Sequence, residues 1–128
     1  ITFPATQSAS TDVNTLDDYE EGTWTIGSTG TGTAATTGWY TKIGNQVTCW
    51  GAIYQQNASG PTTFTGLPFT SNAMDGNNNA GGYCFSQSGS PAGDFIGVQD
   101  TQYQLIKGFN AYAPVNGEVL KFVINYFV

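Results

Sequence analysis

A chain of 128 residues is long enough for one domain with one core, and at 39% hydrophobic and 14% aromatic it is too apolar to stay disordered. It has no His, no Arg, three Lys and a net charge of −6. That excludes Ser-His and Cys-His catalysis and His-ligated zinc within the chain, and leaves no basic surface to neutralise nucleic-acid phosphates or an anionic bilayer.

Charge is scarce, at 9%, and polarity comes instead from Thr, Ser, Asn and Gln, with 17 Gly for turns. This is the profile of an all-β protein, and the low charge suits one exposed outside a cell. No apolar run is long enough to span a membrane, so none is expected to insert. The chain opens at Ile1 without Met or signal peptide and reads as a piece of something longer.

Residues 1–22, "ITFPATQSASTDVNTLDDYEEG", are poor in apolar side chains, and Pro4 interrupts their one early cluster. They predict an extended connector with a short helical turn near "NTLDDYEE", capped by Asn14 or Thr15. From Thr23 the pattern turns to strand. "TWTIGS" alternates briefly, and "GWYTKIGNQVTCWGAIYQ" gives the clearest signal. Val47, Cys49, Gly51 and Ile53 fall on one face; Thr48, Trp50, Ala52 and Tyr54 fall on the other. Gly44-Asn45 divides this run as a tight hairpin. "TTFTGLPF" is a strand that Pro68 closes, and "GGYCFSQ", "DFIGVQ" and "QYQLIKGFNAY" follow as strands.

In "EVLKFVINYFV", Leu120, Phe122, Ile124, Tyr126 and Val128 alternate with Val119, Lys121, Val123, Asn125 and Phe127. Both sets are largely apolar, which predicts a strand buried on both sides or facing a partner chain. Seven or eight strands over residues 23–128 without a helix predict an antiparallel, jelly-roll-like β-sandwich. Residues 57–61, 71–82 and 86–94 are its polar loops. Cys49 and Cys84 lie in apolar strand contexts and read as buried free thiols, with a disulfide as the alternative.

Four of the nine carboxylates, Asp17, Asp18, Glu20 and Glu21, fall within five residues. A glycosidase needs two carboxylates across a sugar, one of them in an apolar setting. These four sit together in a polar segment and read as a structural, solvated connector, with no catalytic or metal role. "DGNNN" at 75–79 does not match an EF-hand loop and reads as a polar turn. "NAS" at 57–59 fits a glycosylation sequon of the kind that arises by chance. Most of the Trp, Tyr and Phe residues belong to the core. Trp39, Tyr54, Tyr83, Tyr103 and Tyr112 are the candidates to stack on sugar rings, with Asn57, Asn77, Asn78 and Asp94 to bind hydroxyls. No cofactor and no metal is called for.

"FPATQSASTDVNTLDDYEEGTWT" at 3–25 closely resembles a segment of bacteriophage tail-fibre proteins. "YTKIGNQVTCWGAI" at 40–53, "GLPFTS" at 66–71 and the terminal Tyr-Phe-Val strand fit the same family, so the resemblance spans nearly the whole chain. Ile26 stands where that family usually has Pro. The resemblance implies a homotrimeric fibre tip, with residues 1–22 as the neck from the shaft and residues 23–128 as a receptor-binding domain. It implies a location on a virion fibre or, for tail-fibre-like adhesins, on a bacterial surface. The expected partner is a cell-surface glycan, neutral or amino-bearing given the acidic chain, and the expected function is non-enzymatic. Two rivals remain: a depolymerase using Asp75, Asp94, Asp100 and Glu118, and a purely structural trimerisation domain.

Overall fold

A computed structural model describes residues 18–28, 33–34, 36–55, 63–72, 80–87, 94–99, 101–107, 110–111 and 115–128. Ten strands occur among them: β1 (Tyr19–Ser28), β2 (Thr33–Ala34), β3 (Thr36–Ile43), β4 (Gln46–Gln55), β5 (Thr63–Thr65), β6 (Ala80–Ser86), β7 (Asp94–Gln99), β8 (Gln102–Lys107), β9 (Asn110–Ala111) and β10 (Val119–Phe127). The described residues contain no helix.

All ladders are antiparallel and belong to one curled sheet, ordered β10-β6-β7-β8-β5-β1-β3-β4-β2, with β10 also pairing β4. The pairing therefore runs round a ring. Two meanders, β1-β3-β4 and β6-β7-β8, are joined on one side by β5 and on the other by β10. A curled sheet needs no second layer, because its concave face supplies both walls of the core.

The alternation in the sequence sets which residues line that core. Val47, Cys49 and Ile53 of β4, and Leu120, Phe122, Ile124 and Tyr126 of β10, are at most 3% exposed. Trp24, Phe64, Tyr103 and Phe122 form an aromatic centre. Phe64 stacks on Tyr103 at 5.4 Å, and Trp24 meets Tyr103 edge-on at 5.9 Å. Gly38 lies under the Trp24 indole, where a Cβ would collide with the ring. Gly44, at φ 58°, opens the two-residue turn between β3 and β4.

Cys49 and Cys84 are buried free thiols. Their strands flank β10 on opposite sides, and their partners there, Ile124 and Phe122, are two residues apart, which sets them roughly 12 Å apart, beyond disulfide reach. Burial pushes the Cys49 thiol up to about 12, against a smaller opposing hydrogen bond with Tyr126. Burial also raises Tyr126 and Tyr103 well above the usual phenol range.

The connector reading of residues 1–22 needs a correction at its end. Tyr19–Glu21 are strand rather than helical turn, and β1 starts four residues before Thr23. Cross-strand partners override the local helix signal. Asp18 forms an ion pair with Lys42, the Tyr40 hydroxyl donates to Glu20 (2.5 Å), and the Gly44 N–H donates to the Asp18 carbonyl (2.7 Å). The capping positions Asn14 and Thr15, with Asp17, lie outside the described residues.

Candidate functional site

The outward face of β1, β3, β4, β10 and β6 reads as transverse rows set by strand register. One row runs Thr23, Trp39, Trp50, Val123, Tyr83. Beside it, Lys121 lies opposite Ala52 on one side and Phe85 on the other. These two rows border a groove of about 380 Å³ lined by Trp39, Trp50, Ala52, Tyr83, Phe85, Lys121 and Val123, reaching the backbone of Gly51 and Phe122. The volume falls within the range of small-ligand sites.

Large apolar side chains on this outer wall are open to solvent. Trp39 is 48% exposed, Trp50 39%, Tyr83 58% and Phe85 44%. Trp39 and Trp50 are directly opposed across β3 and β4, and their indoles separate the groove from a second depression of about 400 Å³ bordered by Glu21, Gly22, Thr23 and Tyr40. Glu21 is already engaged there by the Tyr19 hydroxyl at 3.1 Å, and that bond raises the Tyr19 pKa.

A polar row follows toward the β3–β4 turn: Glu21, Thr41, Thr48, Asn125 and Gly81. Thr48 donates to Asn125 within it at 2.7 Å. Beyond lies a second apolar zone at the end of the sheet, where Ile43 (48% exposed) and Phe127 (47%) flank Gln46. Four residues separate Phe127 from Val123 along β10, a spacing of about 13 Å.

Of the expected sugar-stacking residues, Trp39 and Tyr83 line the groove, and Tyr54 lies on the same face, opposite Val119. Tyr103 does not belong with them. It is 1% exposed in the aromatic core, because β8 turns it inward against Phe64. The sequence carries that signal: Tyr103 stands between Gln102 and Gln104, the polar-aromatic-polar alternation of an inward side chain. Asp94 begins β7 opposite Cys84, and its side chain is not among those described. Tyr112, Asn57, Asn77 and Asn78 lie outside the described residues.

Trp50, Phe85, Val123 and Lys121 line the groove and were not among the sequence candidates. Alternation places Trp50 outward, and Phe85 shares parity with Tyr83 about the buried Cys84. Only the non-local register of β4, β10 and β6 shows that they meet.

Among the described residues there is no group of three or more potential metal-binding side chains, and no helix is long and apolar enough to cross a membrane. Of the carboxylates proposed for a depolymerase, Glu118 is the one whose side chain is described. It is 2% exposed and accepts from the Val115 N–H at 2.9 Å, closing the turn before β10. Comparison with known proteins yields no matching family model, no matching curated protein and no matching solved structure.

Proposed function

We propose that this chain is the receptor-binding tip of a trimeric fibre, and that it holds a cell-surface glycan in the outer groove without cleaving it. The observation that carries the reading is the exposed aromatic set Trp39, Trp50, Tyr83 and Phe85 gathered round one groove. Such rings are normally core residues, and leaving four together in water is unfavourable unless something covers them. Aromatic faces suit the C–H faces of sugar rings, and the tail-fibre-like motifs at 3–25, 40–53 and 66–71 point to the same role. A net charge of −6 favours neutral or amino-bearing glycans over polyanions.

In this reading the two meanders act as facing leaves of a flattened, jelly-roll-like sandwich. Ile43 and Phe127 make the subunit contact at the end of the sheet, separated from the groove by the Thr41–Thr48–Asn125 row. The tip belongs on a virion fibre or on a bacterial surface.

A glycan array probed with the purified chain, with light scattering on the same sample, tests both parts. Binding to a defined glycan set, lost in Trp50→Ala, and a mass about three times 13.6 kDa are the expected results. A monomer at micromolar concentration overturns the trimer. An array without a hit from an intact trimer overturns glycan recognition and favours a purely structural tip.

A further inference from the structure

We infer that Lys121 makes the groove selective for a sugar ring bearing a single carboxylate, a uronic-acid residue within the glycan; this rests on the groove being the glycan site proposed above. The chain has three lysines. Lys42 is committed to Asp18 and lies 5.7 Å from the centre of the Phe69 ring, and the Lys107 side chain is outside the described set. Lys121 is exposed on the groove wall, and among the described residues it forms no ion pair. Its cross-strand neighbours are Ala52 and Phe85, and on its own strand Val119 and Val123 share its face. None of them is acidic. A chain with nine acids thus sets an exposed lysine in a groove lined by apolar and aromatic residues.

An ion pair gains strength beside such walls, because field lines through low-dielectric surroundings are less screened than in bulk water. The charge also sets the kind of anion. One ammonium without an Arg fork suits a monoanion, whereas phosphate groups favour planar bidentate partners or several cations. The overall negative charge opposes polyanions further. An amino-bearing ring in this groove would place like charges together, so the local charge of the groove replaces the amino-bearing expectation drawn from net charge with a weakly acidic sugar. Trp39 and Trp50 on one wall and Tyr83 and Phe85 on the other hold the ring, and Lys121 reads its substituent.

The test uses the whole chain in its assembled state. Matched pairs of methyl glycosides in the gluco, galacto and manno series, each pair differing by a C6 hydroxymethyl or carboxylate, are titrated by saturation-transfer NMR. The acid of at least one pair is expected to bind about threefold more tightly than its neutral partner at low salt, as for an exposed ion pair. That preference should vanish in 0.5 M NaCl and in Lys121→Gln, while neutral binding persists. Acid and neutral members binding equally in every pair would overturn the inference and leave the groove reading intact. If no glycoside of any pair binds, or if Lys121→Gln changes the assembled mass, both fall, the second result identifying the groove as a subunit contact.

Discussion

On β10, Leu120, Phe122, Ile124 and Tyr126 point inward and are at most 3% exposed, while Val119, Lys121, Val123, Asn125 and Phe127 point outward. On β4, Cys49 and Ile53 are fully buried, while Trp50 and Tyr54 are 39% and 48% exposed. The two faces of one wall therefore carry similar apolar material under opposite conditions. Folding accounts for the inner set, since each buried side chain contributes roughly 1.5–3 kcal/mol. It gives no reason for Trp39, Trp50, Tyr83 and Phe85 to stand in water. The inner face reports how the chain folds, and the outer face is what motivates the proposed recognition surface.

Paired truncations break that contrast most directly. Phe122→Ala should cost about 3–5 kcal/mol, since it opens a void between Trp24 and Tyr103. Tyr83→Ala, on an equally large ring on the outer face, should stay within about 1 kcal/mol in stability and lose glycan binding. Urea midpoints of the two variants check this. A Tyr83 variant as unstable as the Phe122 variant would mean that the outer rings are also part of the core.

A second test uses alkaline pH. The Cys49 thiol, raised by burial from 9.0 to about 12, stays protonated in the folded chain while the unfolded chain releases its proton. Its contribution is fully present below pH 9 and is lost as pH rises toward 12. Each unit in that window costs up to about 1.4 kcal/mol. Cys49→Ala should unfold at lower urea at neutral pH, for its lost packing, yet show a shallower decline above pH 9. A decline of unchanged slope would show that the thiol does not titrate on unfolding.

The inner face was the more legible in sequence because period-two alternation depends only on neighbours along the chain. Val47, Cys49 and Ile53 could be assigned inward from that pattern, and Gly44-Asn45 marked the hairpin. Ring closure, the start of β1 at Tyr19 and the groove were not legible in the same way. They depend on which strands pair and in what register, as where Val123 meets both Trp50 and Tyr83. Tyr103 belongs inward for a local reason, its alternation with Gln102 and Gln104, but what it packs against, Phe64 of β5, depends on strand pairing.

Tyr103 also permits a finer test of the inner face. Its hydroxyl is buried and has no hydrogen-bond partner among the described residues. An unsatisfied buried hydroxyl is unfavourable, and Phe keeps the ring that stacks on Phe64. Tyr103→Phe should therefore stabilise the domain by roughly 1 kcal/mol, read as a higher urea midpoint with unchanged glycan binding. Loss of stability would show that the hydroxyl has a partner; loss of binding would return Tyr103 to the recognition surface.

The acidic segment gives the smallest expected effect on binding and tests where the outer face ends. Asp18 pairs with Lys42, Glu20 accepts from Tyr40, and Glu21 accepts from Tyr19. The Glu20 bond also helps raise the Tyr40 pKa to about 12. Each carboxylate is thus committed to β1 or β3; Asp18 and Glu20 lie at the Ile43 end of the sheet, and Glu21 lies midway between Ile43 and Trp39. The Tyr40–Glu20 and Tyr19–Glu21 bonds are exposed and contribute about 0–1 kcal/mol each, whereas the Asp18–Lys42 pair is largely shielded from water and contributes more. Replacing Asp17, Asp18, Glu20 and Glu21 with their amides keeps the shape and most hydrogen-bonding capacity while removing the charge. Stability should fall by roughly 1–3 kcal/mol, mostly through Lys42 losing its partner, and affinity for the glycan should stay within about threefold, or 0.6 kcal/mol. The Tyr40 phenol should titrate closer to its usual 10.0, followed by ultraviolet difference absorbance. Loss of binding from an assembly of unchanged mass would extend the recognition surface across the Trp39–Trp50 ridge, to the depression beside Glu21.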